Sequence, residues 1–385
     1  MKSCCFNSNI MKSNLDWVIL KISQVCNLNC SYCYVYNRGD DSWKNRPKFI
    51  SLDIVDILAD RINEHCHNND LNHFTIEFHG GEPLTIGIDR FSEIVNLLKS
   101  KCSSIDLSMV IQTNGLLLNE EWIQLFTNNN IGIGISLDGP PKINDINRVD
   151  HKGKGSTDKL LTIIKSLKNN PNVKDKFDPG FCCVINPSLI NGSELVRWFA
   201  QNKITSYDFL LPDGNIKNFP QNWVGTEPYK DFLISAFDEW FNMGKEAPSI
   251  RMFELMMMGF LGVKVTLDSL GGDLSKLCVV ESDGGISVND VTRICGGDFS
   301  NDKLNIKTNP LEDKNIYFQI SKLQDLSDTC KECKYLSSCG GGYLPHRFDG
   351  NSFKNPSMYC DALYSLSEHI YNNMKNVIPI RYHLN

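Results

Sequence analysis

From Trp17 to Leu211 the chain repeats one unit, a short apolar run followed by a longer stretch with apolar residues at helical spacing. The runs at 17–23, 72–78, 108–112, 131–136, 180–185 and 207–211 read as strands. The stretches at 51–65, 90–100, 120–127, 157–168 and 193–201 read as helices. In the first of these Ser51 is an N-cap, and Ile54, Val55, Ile57, Leu58 and Ile62 mark one apolar face. Such alternation demands a parallel sheet, because each helix carries the chain back to start the next strand beside the last. Six strands of this kind predict an α/β fold, a partial (β/α)6 barrel left open on one side. In α/β barrels the loops leaving the strand C-termini carry the chemistry.

The first such loop holds Cys26-Asn-Leu-Asn-Cys30-Ser-Tyr-Cys33. Three thiolates this close are soft ligands, which select zinc, Cu(I) or iron–sulfur iron. A structural zinc site wants a fourth ligand nearby, and the first histidine after Cys33 is His65. On a four-iron cluster three ligands suffice and leave one iron open to a substrate or cofactor. The plainer alternative is three unrelated thiols in a reducing cytosol. Composition bears on the choice. The chain has 15 cysteines in 385 residues, and no apolar targeting segment precedes Asp16. That pattern fits metal ligands better than a disulfide framework. Six cysteines, Cys4, Cys5, Cys66, Cys102, Cys182 and Cys183, are scattered and read as ordinary small residues. A net charge of −6 and a pI near 5.8 give no broad basic surface for nucleic acid. No apolar run approaches the ~20 residues of a membrane span. A cytoplasmic location with neither partner is expected.

CxxxCxxC after a first strand resembles the signature of the radical S-adenosylmethionine (SAM) enzymes. The resemblance implies that Cys26, Cys30 and Cys33 hold a [4Fe–4S] cluster whose open iron is chelated by SAM. Reductive cleavage of SAM then yields a 5′-deoxyadenosyl radical that abstracts hydrogen from substrate. Tyr32 matches the aromatic that the family places before its last cysteine. The other loops agree. His79-Gly80-Gly81-Glu82-Pro83 after strand two resembles the motif that binds the SAM amino group. Gln112-Thr-Asn114-Gly after strand three resembles a polar turn of the same enzymes. Ser136, with Arg148 beyond it, matches residues that hold the SAM carboxylate, a role that suits the bidentate fork of arginine. The strand-five backbone around Val184 matches the segment that flanks adenine.

Residues 212–270 break the pattern and offer two helices, 229–242 and 250–261; Met252 and Met256–Met258 in the second read as core. A second cysteine set follows, Cys330-x2-Cys333-x5-Cys339 with Cys360 beyond. It resembles the SPASM extension of peptide-modifying radical SAM enzymes. There such a set ligates an auxiliary [4Fe–4S] cluster (Aux II). The family's other auxiliary site (Aux I) is left incomplete. Cys278 and Cys295 offer two thiolates, and Tyr343 stands where a third is expected. Two complete sites predict about eight irons per chain. The implied organisation is a barrel over 1–225, a helical bridge over 226–270 and a SPASM-like domain over 271–385.

Two stretches, Val280–Asp290 and Cys339–Arg347, resemble maturases that build three-residue cyclophanes on ribosomally made precursor peptides. The implied reaction joins an aromatic ring carbon to a side-chain Cβ. Asp290 is then the general base for the ring proton, and His346 and Arg347 are candidates to hold the peptide. A flavodoxin- or ferredoxin-type donor is the implied electron source. Too few residues precede strand one for a fused leader-binding domain. Two alternatives stay open: an anaerobic sulfatase maturase that oxidises Cys or Ser to formylglycine, and a non-catalytic iron–sulfur carrier.

Overall fold

A computed structural model describes residues 13–220, 223–296, 304–311, 313 and 323–377; Cys4 and Cys5 lie outside them. Strands β1 (Trp17–Ser23), β2 (His73–Gly80), β3 (Asp106–Thr113), β4 (Ile131–Ser136), β5 (Gly180–Val184) and β6 (Ser206–Leu210) pair in chain order, every pair parallel. Helices α1 (Leu52–Asn69), α2 (Ile88–Lys101), α3 (Glu120–Asn129), α5 (Thr157–Asn169) and α6 (Gly192–Gln201) cover the outside, and the short α4 (Pro141–Asn147) follows β4 at the end that meets the Cys26–Cys33 loop. The open α/β barrel expected from the alternation is therefore present. Ser51 caps α1 as expected, accepting from the N–H of Ile54. The helix outruns its expected end at residue 65 and stops where Asp70 turns left-handed. The short α4 went unread, because seven residues are too few for a helical period to declare itself.

The sheet does not stop at six strands. Beyond β6 lies β7 (Ser249–Ile250), between the helices α7 (Glu227–Met243) and α8 (Arg251–Phe260). On the other edge β8 (Leu277–Val280) runs parallel to β1, and β9 (Ile286–Ser287) pairs antiparallel with β8. The order is β7-β6-β5-β4-β3-β2-β1-β8-β9. A segment past residue 271 thus extends the barrel sheet, with Cys278 opposite Val18. The chain closes with a helix over Cys360–Val377 that packs on α7 and α8. Met252 and Met256 are buried core residues, but Met257 is half-buried and Met258 exposed, because only one side of α8 meets the core, so the methionine stripe is core only in part.

Side chains alternate across this sheet with a clear division of labour. Val18, Leu20, Ile22, Phe74, Ile76, Phe78, Ile111, Ile135, Phe181, Tyr207 and Phe209 face the helices and are almost wholly buried. The opposite face carries Lys21, Glu77, His79, Gln112, Ser136, Cys182 and Asp208; registers such as Lys21 with His79 and Ser136 with Cys182 keep them on one side. A barrel interior made of these groups cannot close on itself as an apolar core. It has to stay hydrated or receive a polar ligand.

Close packing of α6 on α7 depends on one glycine. A Cβ on Gly192 would lie 2.0 Å from the Phe232 carbonyl oxygen of α7. Gly192→Ala is expected to lower stability by about 1–3 kcal/mol. Gly180→Ala, where a Cβ meets nothing within 4 Å, should stay within about 0.5 kcal/mol of wild type. Thermal denaturation of the two variants checks the contrast.

Candidate active site at the mouth of the barrel

The Cys26–Cys33 loop is pinned on two sides. On one, Gly81 and Glu82 donate their N–H groups to the carbonyls of Ser23 (2.8 Å) and Val25 (2.9 Å). On the other, Asn29 and Ser31 donate to the carbonyls of Val149 and Asn147. The Gly80-Gly81 pair is needed for this docking. A Cβ on Gly81 would lie 1.9 Å from the Tyr36 hydroxyl and 2.6 Å from the Val25 carbonyl oxygen. One on Gly80 would lie 2.1 Å from the Ser23 carbonyl oxygen. The glycines therefore serve the approach of backbone to backbone.

Glu82 is 1 % exposed and both its oxygens are engaged. One accepts from Leu84 N and Thr113 Oγ1 (2.6 Å), the other from Asn114 N (2.7 Å). Its carboxylate ties the second and third loops together rather than lying open to a cation. Asn114 continues the tie by donating to Asn27 inside the cysteine loop at 2.7 Å. Gln112 donates to the Ser136 hydroxyl at 2.9 Å on the inner face of the sheet.

The three thiols are half-buried and unbridged. Burial, and their mutual repulsion as anions, push Cys26 up to about 12 and Cys30 up to about 11; burial also raises Cys33. Thiolates here need a compensating cation. Among the described residues no three His, Cys, Asp or Glu groups converge on a single ion. A cuboid cluster does not require that, since each cysteine binds a different iron. The donor set therefore fits an iron–sulfur cluster better than a lone zinc.

Beside the thiols sits an arrangement that the sequence did not single out. The Tyr32 hydroxyl donates to Asp138 at 2.6 Å, and Arg148 donates to the Tyr32 oxygen at 2.8 Å. The second Asp138 oxygen accepts from Val184 N at 3.0 Å, which occupies that β5 amide. Arg148 is 7 % exposed and feels Tyr32, Cys30 and Asp138 as its acidic neighbours. Ser136 and Arg148 are thus held by different partners. Asp138 lay in plain view in Ser-Leu-Asp-Gly-Pro, but a turn aspartate there carries no distinguishing signal.

Deeper inside, Lys21 Nζ meets Tyr34 Oη (2.8 Å), His79 Nδ1 (3.0 Å) and the carboxylate of Asp290, which also accepts from Tyr34. His79 Nδ1 also accepts from Gly80 N, which puts its proton on Nε2. Burial and Lys21 hold the imidazole down at about 3, so it is neutral. Although burial opposes it, the Lys21 ammonium keeps Asp290 well below the usual carboxylate range. Glu77 and Asp213 behave oppositely. Burial and the Asp290 charge push each up to about 7.

The second cysteine set also assembles. Cys330, Cys333, Cys339 and Cys360 line one cavity of about 380 Å³, with Tyr335 and Leu336. Cys278 and Cys295 sit in different surroundings. Cys278 is raised by burial alone, while Cys295 accepts from Asn215 at 3.7 Å and lies near Asp213. Tyr343 packs edge-on against His346. His346 Nε2 meets the Pro212 carbonyl at 3.1 Å, and both His346 and Arg347 are buried. Neither is laid out to grip a peptide from the surface.

The raised carboxyls predict a pH dependence. Glu77 and Asp213 bind protons more tightly when folded than their ordinary value near 4 implies. The stability they contribute is complete below about 4 and lost as pH rises through about 7. Melting temperature should therefore fall more between pH 6 and 8 in wild type than in the Glu77→Gln, Asp213→Asn variant. Parallel pH profiles would contradict the assignment.

No helix among the described residues is long and apolar enough to cross a membrane. The family profile of the radical SAM superfamily matches residues 20–176. A cysteine-type anaerobic sulfatase-maturating enzyme of Clostridium novyi is 27 % identical, and the match covers 97 % of each chain. An uncharacterised protein of Methanothermobacter thermautotrophicus is 35 % identical over 58 % of this chain and 78 % of its own. The solved structure of native anSMEcpe with bound AdoMet and Cp18Cys peptide shares the fold with a TM-score of 0.79. It is 22 % identical, and the match covers 94 % of this chain and 98 % of that one. With its cysteine loop, its barrel and these relatives, the chain belongs to the radical SAM superfamily of enzymes.

Proposed function

We propose that the protein is a radical SAM maturase that oxidises a side chain of a peptide or protein substrate by two electrons, and that the side chain is a Cys or Ser converted to formylglycine. The observation that carries this is the match to the Clostridium novyi sulfatase-maturating enzyme over 97 % of both chains. It reverses the order expected from the sequence, where the cyclophane reading stood first. A peptide substrate is further supported by the anSMEcpe structure, which holds a peptide.

Cys26, Cys30 and Cys33 would hold the [4Fe–4S] cluster. With SAM bound, that centre supplies the primary carbon radical needed to take hydrogen from an unactivated Cβ. Arg148, buried and next to Cys30, is the cation available to the SAM carboxylate, and Tyr32 and Asp138 fix its position. Gln112 and Ser136 line the inner face where substrate would enter. Asp290 is kept anionic by Lys21 and Tyr34, so it is free to accept the thiol or hydroxyl proton that must leave once Cβ has become a radical and turned that proton strongly acidic. Cys330, Cys333, Cys339 and Cys360 would complete a closed auxiliary cluster suited to taking the second electron. A flavodoxin- or ferredoxin-type protein is the proposed external donor.

The cyclophane reading keeps one specific support. Cys278 and Cys295 have different neighbours, Tyr343 stands where a further thiol is expected, and Gly296 rather than an aspartate follows Cys295. These are departures from the maturase pattern.

Reconstituted anaerobic protein with dithionite should cleave SAM to 5′-deoxyadenosine, and the Cys26→Ala, Cys30→Ala, Cys33→Ala variant should not. Cleavage by that variant would sink the site assignment. Co-expressed substrate peptides then separate the two reactions. Formylglycine leaves an aldehyde that a hydrazine reagent captures. A crosslink removes two hydrogens, leaves no aldehyde and joins two residues in the fragment spectrum. That second outcome would replace the first reading with the cyclophane one.

A further inference from the structure

Arg347 lies in the short turn Pro345–Arg347 and is 4 % exposed. Burying a guanidinium is costly unless an anion or a full set of acceptors replaces water. Arg347 has no full set of acceptors and no anion of its own among the described residues. One terminal nitrogen donates to the backbone carbonyl of Asp325. Its Nε has no partner among the described residues. The carboxylate of Asp325 is shared with Lys331 (2.8 Å) and Lys354 (3.0 Å), and the bond from Arg347 goes to the backbone carbonyl instead. The residue that Arg347 binds also reaches the cysteine set, since the Asp325 carboxylate pairs with Lys331, next in the chain to Cys330; the acidic groups that act on the guanidinium are Cys330 and Asp325.

Cys330 is one of the four cysteines lining the 380 Å³ cavity. As neutral thiols these four would leave Arg347 only the Asp325 carboxylate that two lysines already share. As thiolates around a [4Fe–4S] core they form an anionic centre, and the guanidinium gains a partner of its own. We propose that Arg347 is the buried counter-charge of the auxiliary cluster, a positioning residue that raises its reduction potential and so suits it to accept an electron. This rests on the reading of the cavity as a cluster site. The direction follows from electrostatics. Reduction adds a negative charge to the centre, and a fixed cation in a low-dielectric surround stabilises the reduced form more than the oxidised one.

The test uses full-length protein carrying Cys26→Ala, Cys30→Ala and Cys33→Ala, so that only the auxiliary site can hold iron. Arg347→Gln and Arg347→Met remove the charge, the second with a linear apolar side chain that a buried site tolerates. Arg347→Lys keeps the charge. Iron and sulfide are counted, and the midpoint potential is read by EPR-monitored titration. The expected result is about four irons in the parent, a midpoint shifted to more negative potential in both neutral variants, and a parent-like midpoint in the lysine variant. Loss of iron from both neutral variants while the lysine variant retains it also supports the proposal. An unchanged midpoint in the neutral variants, or a lysine variant that falls with them, would overturn it. A parent that holds no iron overturns the cluster reading itself, a separate failure.

Discussion

The site depends on one close approach, the seating of the Gly80-Gly81 turn against the backbone of Ser23 to Val25. There is no room for a Cβ at either glycine. That contact carries the N–H groups of Gly81 and Glu82 onto the carbonyls of the segment leading into Cys26. Glu82 then reaches across to Thr113 and Asn114, and Asn114 reaches back to Asn27. The loops after β1, β2 and β3 thus form one hydrogen-bonded unit. The cysteine loop is held by backbone geometry before any metal arrives, which lowers the ordering cost of loading a cluster.

The second constraint is the two-sided sheet. Its outer face is aliphatic and aromatic and supplies the stability; its inner face is charged and hydrogen-bonded and supplies the chemistry. Lys21 joins the two ends of the chain by pairing with Asp290, and β8 does the same by adding to β1. The C-terminal segment is therefore part of the barrel wall. Electron and proton outlets of the proposed reaction, the four-thiol cavity and Asp290, both come from chain beyond the sixth strand.

Much of this was legible. Alternating apolar runs gave the six strands within a few residues, since one face of each strand is marked by strong hydrophobes. The two cysteine sets were visible as spacing, and the structure brings the second together around one cavity. The engagement of Glu82 inside the protein was not legible, because a carboxylate in a turn looks the same whether it faces a ligand or a threonine. Asp138 and Lys21 were equally hidden: one is a turn residue, and the other interrupts an apolar strand. Their meaning appears only when register sets Lys21 beside His79 and the fold carries Asp290 to it. Strand β8 was missed because Leu277–Val280 is too short to show a period.

The central claim is that one chain holds an open cluster site at Cys26, Cys30 and Cys33 and a closed one at Cys330, Cys333, Cys339 and Cys360. The most direct measurement is EPR spectroscopy of the reduced, reconstituted protein before and after SAM is added. The account predicts two overlapping cluster signals, of which one changes on adding SAM, because only the open site has an iron to offer. A spectrum in which neither signal responds, or in which both do, would contradict it.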